Sequence, residues 1–320
     1  MALAQLDSPQ GWLARFGEQL PFTAMTIGNF DGVHLGHQVI LRRVVERATG
    51  SNWMSAVLTF FPHPASVLRP QHAPALLATL DQRLAAFEVA GIDAALVLKF
   101  DRQLAQVTAE DFVQRYLVQT MRAKAVLVGG SFRFGHRQAG DVSLLRELGK
   151  RWGFEVDVVP PVTIGGVAVS STAAREAVRD GRMEEARKLL GRPYALAGEI
   201  RPGTGQGRKL VVPTLNLATE QELLPKMGVY ATEVALDGKV FRAATNVGVR
   251  PTFDGARTTV ESHLLDFNES HTSGRIEVRF YTRLRDEKKF SGPEALREQV
   301  LKDIERAREY FHAIEVSRRG

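Results

Sequence analysis

With 320 residues, 44% of them hydrophobic, the chain can bury a substantial core and is expected to form two domains rather than one. It has no cysteine, which excludes disulfides and thiolate metal sites, and no run approaches the ~18 apolar residues of a membrane span. A formal charge of +6 suits a phosphate-rich partner, but the basic residues are interleaved with acids, as in "LRRVVERA" and "RLRDEKK", so solvated faces are the simpler reading than a nucleic-acid surface.

The first twenty residues include Asp7, Arg15 and Glu18 and lack a continuous apolar core, so no leader is expected and the cytoplasm is the default location. Five β-like runs follow at 24–27, 56–61, 94–100, 125–128 and 154–159, separated mostly by segments of helical spacing. That alternation predicts βαβ units and a doubly wound parallel sheet. Over 38–48, Val39, Ile40, Leu41, Val44 and Val45 can face a sheet while Arg42, Arg43 and Arg47 meet solvent.

Beyond residue 191 glycine and proline become dense, and short runs at 228–236, 240–245, 260–266 and 276–284 predict a barrel or sandwich. The boundary is expected near 186–195, giving domains 1–187 and 188–320. At the far end Ser291 and Glu294 have capping-box spacing and Pro293 suits a first helical position. Leu296, Val300, Leu301, Ile304, Ala307 and Phe311 trace an apolar stripe, predicting a final helix packed on the barrel. No oligomeric state is implied.

The stretch "MTIGNFDGVHLGHQ" places a glycine-rich turn and two histidines where the first strand gives way to a helix. Free backbone N–H groups and the positive helix end form a natural phosphate site there. Gly28, Gly32 and Gly36 permit close approach, and His34 and His37 can donate to phosphate oxygens as charge builds up. The plain alternative is a helix cap and a turn.

The residues "GNFDGVHLGHQ", "TFFPHP", "FRFGHRQAGD" and "SSTAAR", followed by "GQGRKLVVPTLN", "GVYA", "NVGVRPTF" and "VESHLLDF", resemble in order the bacterial-type bifunctional riboflavin kinase/FMN adenylyltransferases, or FAD synthetases. The resemblance spans nearly the whole chain. It implies a Rossmann-like HxGH nucleotidyltransferase domain followed by an antiparallel β-barrel kinase domain with a terminal helix. His34 and His37 would grip ATP phosphates beside Gly28, Asn29, Phe30, Asp31 and Gly36, and Ser171, Thr172 and Arg175 of "SSTAAR" would close over them. Phe132 and Phe134 would offer an edge to the flavin, with Phe60, His63 and Ser131 as further candidates. The alternatives are that both phenylalanines are core and that His63 shapes a turn. The family usually carries Asp or Asn where Ser131 stands.

In the second half the resemblance implies an ATP loop with Gly203, Gly207, Arg208 and Pro213, and hard oxygen ligands at Thr214 and Asn216 suited to the Mg²⁺ of MgATP. Composition alone would read that stretch as an ordinary turn. Glu261 would be the base that takes a proton from the riboflavin 5′-hydroxyl. Strand alternation puts Glu261, His263 and Leu265 on one face and Val260, Ser262 and Leu264 on the other. This chain departs from the family pattern at Val211, Val212, Leu215 and Thr272–Gly274. The activity expected is phosphorylation of riboflavin to FMN, then adenylylation of FMN to FAD, both using ATP. Alternatives are an adenylyl- or cytidylyltransferase with a degenerate kinase half, or a nucleic-acid-binding barrel.

Overall fold

The computed structural model describes residues 2–17, 20–201, 213–252, 255–267 and 273–319. The chain divides into two compact units, Met1–Ser171 and Thr172–Gly320.

In the first unit, β1 (Ala4–Leu6) and α1 (Pro9–Phe16) precede β2 (Thr23–Ile27), α2 (Leu35–Ser51), β3 (Met54–Phe61), α3 (Pro64–Leu68), α4 (Leu80–Val89), β4 (Ala94–Lys99), α5 (Ala109–Phe112), β5 (Ala123–Gly129), α6 (Val142–Trp152) and β6 (Glu155–Val159). All five expected strands are present. The six strands are parallel in the order β1-β4-β3-β2-β5-β6. Every residue of β2 is buried, as befits a central strand covered on both faces. Met25, Ile27, Leu58 and Leu96 pack with Trp12, Phe112 and Leu145 on one side. Ala24, Val57, Ala95 and Leu127 pack with Leu41, Val44 and Phe87 on the other. From β2 the order runs to β3 and β4 on one side, with β1 added at that edge, and to β5 and β6 on the other, so the switch point lies between β2 and β5, where such sheets open a ligand crevice at the strand C-termini. Two features lay outside the expected pattern because they are too short for periodicity: β1, and a hairpin of β7 (Thr163–Ile164) with β8 (Val167–Ala168). The hairpin turns on Gly165 and Gly166, at φ 56° and 81°.

The second unit opens with α7 (Ser171–Arg179), whose first residue belongs to the first unit, and α8 (Met183–Leu190). Then β9 (Tyr194–Arg201), β10 (Leu215–Thr219), β11 (Gly228–Leu236), β12 (Lys239–Thr252), β13 (Gly255–Leu264) and β14 (Arg275–Asp286) close an antiparallel barrel in the order β10-β13-β12-β11-β14-β9. Leu196, Val234, Val247, Val260, Val278 and Phe280 are buried. Among them runs a hydroxyl ladder: Thr232 Oγ1 lies 2.6 Å from Thr245 Oγ1, itself 2.8 Å from Ser262 Oγ, so each buried hydroxyl has a partner.

The final helix, α9 (Pro293–Arg319), starts at the expected proline. Gly292 accepts its first backbone bond from Leu296 N–H, so the cap falls on Gly292 and not on Ser291. Ile304, Ala307 and Phe311 pack on Ala231, Ala244, Leu265 and Tyr281 of the barrel. Leu301, expected on that stripe, is 50% exposed: one position off the 3.6-residue row turns it to solvent. Buried Asp303 pins the helix by accepting from Arg285 Nη2 at 2.7 Å and Nε at 2.9 Å.

Candidate functional sites

At the end of β2, Gly28 N–H donates to Leu58 O at 3.1 Å and keeps the turn on the sheet. The backbone then passes through left-handed conformations at Phe30 (φ 51°), Gly32 (77°) and Val33 (40°). A β-branched residue at positive φ costs on the order of 1–3 kcal/mol and persists only where its surroundings hold it. Val33 is held by burial and by Gln38 Nε2, which donates to its carbonyl at 2.8 Å.

The turn delivers His34 to the N-cap of α2, where its Nδ1 accepts from His37 N–H at 3.3 Å. Capping thus fixes the ring: a neutral His34 carries its proton on Nε2, the form able to donate to an anion. The two imidazoles stack with centroids 3.6 Å apart and planes at 16°. A Cβ at Gly36 would lie 3.1 Å from His34 Cε1, so glycine makes room for that ring. The cap reading holds for His34, and it does not exclude the phosphate reading.

Two residues of the motif sit in its support. Phe30 is buried, edge-on to His37 at 5.1 Å and to Phe87 at 5.4 Å. Asp31 is buried too, and its Oδ1 accepts from Leu77 N–H at 2.9 Å and Ala78 N–H at 3.3 Å. Ser171 joins the turn by donating to Asp31 O at 2.9 Å, Thr172 is exposed beside it at the start of α7, and Arg175 is buried one turn further along that helix.

Sequence reasoning passed over Arg83. This α4 residue is 3% exposed, and its Nη1 donates to Asn29 O at 2.8 Å, Thr59 Oγ1 at 3.2 Å and Phe60 O at 3.3 Å. Burial pulls its pKa down from the usual range and nearby Asp31 pushes it back up. One guanidinium thereby ties the ends of β2 and β3 together under the turn. The available signal was a lone Arg on the apolar row Leu80, Leu84, Phe87. Arg83→Met would leave two carbonyls and Asp31 without their cation, so it is expected to lower the stability of the first unit by about 3 kcal/mol. Urea unfolding checks this, and an unchanged midpoint would show that the clamp carries no weight.

Across the switch point, β5 runs into exposed Ser131 and the stacked rings of Phe132 and Phe134, 5.4 Å apart and 13° from parallel. Phe134 is core, packed 6.2 Å from Phe112, whereas Phe132 and Phe60 are only partly buried. Phe60 meets Phe100 edge-on at 5.8 Å. His63 follows the cis Phe61–Pro62 bond and caps α3, its Nδ1 accepting from Ala65 N–H at 3.1 Å. Partly exposed aromatic surface at Phe132 and Phe60, and the histidine-bearing N-terminus of α2, thus both follow the C-terminal ends of parallel strands.

On the barrel, the register sets Glu261 of β13 directly between Asn216 of β10 and Asn246 of β12. Val260, Ser262 and Leu264 are buried while Glu261 and His263 are half-buried, so this row lies on the outer wall. Thr259 Oγ1 donates to Glu261 Oε1 at 3.1 Å. His263 Nδ1 donates to Pro213 O at 2.8 Å. Thr214 is exposed beside Pro213, and Leu215 is buried on the face opposite Asn216, so its bulk points away from the row. Asn246 was not singled out from the sequence because only strand register brings it to Glu261. Gly203, Gly207 and Arg208, with Val211, Val212 and Thr272, lie outside the described residues. A carboxylate between two amides, with a hydroxyl alongside, is a hard-oxygen surface of the kind that receives a magnesium-bound polyphosphate.

Comparison with known proteins meets this arrangement twice. A family model described as FAD synthetase matches residues 18–173, and one described as riboflavin kinase matches 190–311. Proteins named bifunctional riboflavin kinase/FMN adenylyltransferase are 37% identical in Haemophilus influenzae, over 91% of this chain and 94% of that protein. The figures are 37% in Escherichia coli K12, over 90% and 92%, and 39% in Pseudomonas fluorescens, over 88% and 91%. The chain belongs to the bifunctional riboflavin kinase/FMN adenylyltransferase family. A solved structure from Streptococcus pneumoniae, described as a macrolide-efflux protein, matches with TM-score 0.85 and 29% identity over 96% of this chain and 99% of its own. That description stays with that protein. No helix among the described residues is long and apolar enough to cross a membrane.

Proposed function

We propose that the first unit builds FAD at the HxGH turn and the barrel makes the FMN it consumes at the Asn216, Glu261, Asn246 row. The chain is a bifunctional enzyme of FAD biosynthesis: it phosphorylates riboflavin with ATP and adenylylates FMN with a second ATP, releasing pyrophosphate. What supports the assignment of sites is that the HxGH turn falls in the region matched by the FAD synthetase model and the Asn216, Glu261, Asn246 row in the region matched by the riboflavin kinase model.

In the adenylylation, an FMN phosphate oxygen attacks the α-phosphorus of ATP and pyrophosphate leaves. His34 and His37 donate to the oxygens on which charge accumulates, and the backbone of Gly28, Asn29, Phe30, Asp31 and Gly36 lies along the phosphates. Phe30 and Asp31 act through support of the turn. Ser171, Thr172 and Arg175 are assigned to the ATP phosphates from the family resemblance of "SSTAAR", with Arg175 the candidate to neutralise the leaving pyrophosphate. Phe132 and Phe60 offer the flavin its stacking surface over Phe134, and Ser131 and His63 flank it.

In the kinase step Glu261 takes the proton of the riboflavin 5′-hydroxyl as that oxygen attacks the γ-phosphorus and ADP leaves. Thr214 and Asn216, whose oxygens are hard donors of the right kind, would hold the Mg²⁺ that accompanies ATP, and the ion would neutralise phosphate charge. Gly203, Gly207, Arg208 and Pro213 are assigned to the nucleotide loop. The catalytic halves are taken as 1–187 and 188–320, a boundary within the stretch between residues 173 and 190 that neither family model claims. The excess positive charge is assigned to small phosphate-bearing substrates rather than nucleic acid, and the enzyme is placed in the cytoplasm. Incubation with riboflavin, ATP and Mg²⁺ followed by chromatography is expected to give FMN and then FAD. Neither flavin nucleotide appearing, with tight salt-dependent RNA binding instead, would contradict the reading.

A further inference from the structure

The bond from His263 to Pro213 lies at the edge of the kinase row without being part of the chemistry described for it. The β10 to β13 ladder pairs Leu217 with Val260, Asn216 with Glu261 and Leu215 with Ser262, and there it stops. Thr214, one residue before the ladder begins, is exposed and outside β10. Its N-terminal neighbour is a proline, which has no N–H with which to extend the ladder. The next fastening is the imidazole of His263: Nδ1–H donates to Pro213 O at 2.8 Å. A carbonyl oxygen can only accept, so the bond also fixes the tautomer, with the proton on Nδ1 when the ring is neutral. The carbonyl engaged belongs to the peptide group joining Pro213 to Thr214. Holding that plane sets the direction from which Thr214 enters the site.

His263 and Glu261 are two residues apart on one strand, hence on the same face and roughly 7 Å from each other. The strand that carries the base therefore also carries the tether of the segment that carries a proposed ligand of MgATP. We infer that His263 is a positioning residue of the kinase half: it does not touch the reacting atoms, but locks the Pro213–Thr214 peptide so that Thr214 and Asn216 present their oxygens together beside Glu261. This rests on the reading of that row as the riboflavin kinase site.

Two replacements separate the bond from the bulk of the ring. Asn places an amide N–H about where Nδ1–H stands and can keep the bond. Leu keeps comparable bulk and has no donor. In the full-length enzyme, His263→Leu is expected to raise the KM for MgATP in riboflavin phosphorylation about three- to tenfold, the range for loss of one hydrogen bond, with a smaller change in kcat. His263→Asn is expected to stay within about twofold of the unaltered enzyme on the same scale. FMN-to-FAD conversion, measured on the same preparations from supplied FMN, should be unchanged in both and reports that the first unit is intact, while the retained kinase activity of the Asn variant reports on the barrel. A merely structural role would lower kinase kcat and raise KM without regard to the donor, so Leu and Asn behaving alike would overturn the inference, as would an unaltered KM in the Leu variant. Glu261→Gln, run alongside, distinguishes the two levels. If it retains riboflavin phosphorylation, the underlying site assignment fails; if it loses activity while His263→Leu does not change, only the positioning role fails.

Discussion

Replacing Glu261 by Gln is expected to slow riboflavin phosphorylation about 10³-fold, within the range that a positioned general base contributes, while leaving FMN-to-FAD conversion intact. Gln is close in size to Glu, and its amide can still engage Thr259 Oγ1, which now lies 3.1 Å from Oε1, so the outer wall of the barrel should keep its shape. What disappears is the acceptor for the proton of the attacking hydroxyl. Phosphoryl transfer asks little covalent chemistry of the protein, so most of the remaining contribution is positioning. For that reason the KM for MgATP should move much less than kcat. Chromatography of reactions started from riboflavin, and separately from FMN, checks both halves of the expectation. Loss of both conversions together would mean that Glu261 holds the chain's structure instead of serving one step.

The complementary variant, with His34→Ala and His37→Ala together, is expected to lose FMN adenylylation by about 10³-fold or more, since removal of a single preorganised donor from a transition-state site costs ~10²–10³. The stacking of the two rings at 3.6 Å argues for testing them together: either imidazole alone has a neighbour able to shift toward its place. His34 also caps α2, and loss of such a cap costs about 1 kcal/mol. That is small against a core in which Phe30, Leu41 and Val44 remain packed, so the variant should still fold. Riboflavin phosphorylation should continue and FMN should accumulate. Undiminished FAD formation in the double variant would remove the HxGH turn from the chemistry.

Most of the architecture was legible because its signals are local. Five β-like runs alternating with helical spacing specify a doubly wound sheet almost by themselves, and the HxGH turn lies at the end of the strand beside the sheet's switch point. Four of the six barrel strands were visible as short apolar runs, whereas β9, β10 and the closure were not, because closure is a matter of pairing between distant segments. The parts of the site that escaped sequence reading share that cause. Arg83 is a polar letter on an apolar helix row, and nothing local says that its guanidinium gathers carbonyls from Asn29 and Phe60. Asn246 meets Glu261 only through strand register. His263 meets Pro213 across 50 residues of sequence.

The motif letters also concealed a division of labour. Phe30 and Asp31 read as ligand contacts, yet one is packed in the core beneath His37 and the other holds the 77–78 backbone. Leu215 departs from the family pattern beside the proposed ligands, yet the alternation of β10 turns it into the barrel. In each case the identity of the residue was informative and its direction was not, because direction depends on the backbone conformation that the rest of the fold imposes.

The central claim is that each half of this chain performs one of two consecutive reactions, with FMN as the product of one and the substrate of the other. The most direct test mixes the two variants: Glu261→Gln protein and the His34→Ala, His37→Ala protein, incubated together with riboflavin, ATP and Mg²⁺. Alone, the first should leave riboflavin unchanged and the second should stop at FMN; together they should form FAD. A mixture that stops at FMN, while the unaltered enzyme proceeds to FAD under the same conditions, would contradict the account.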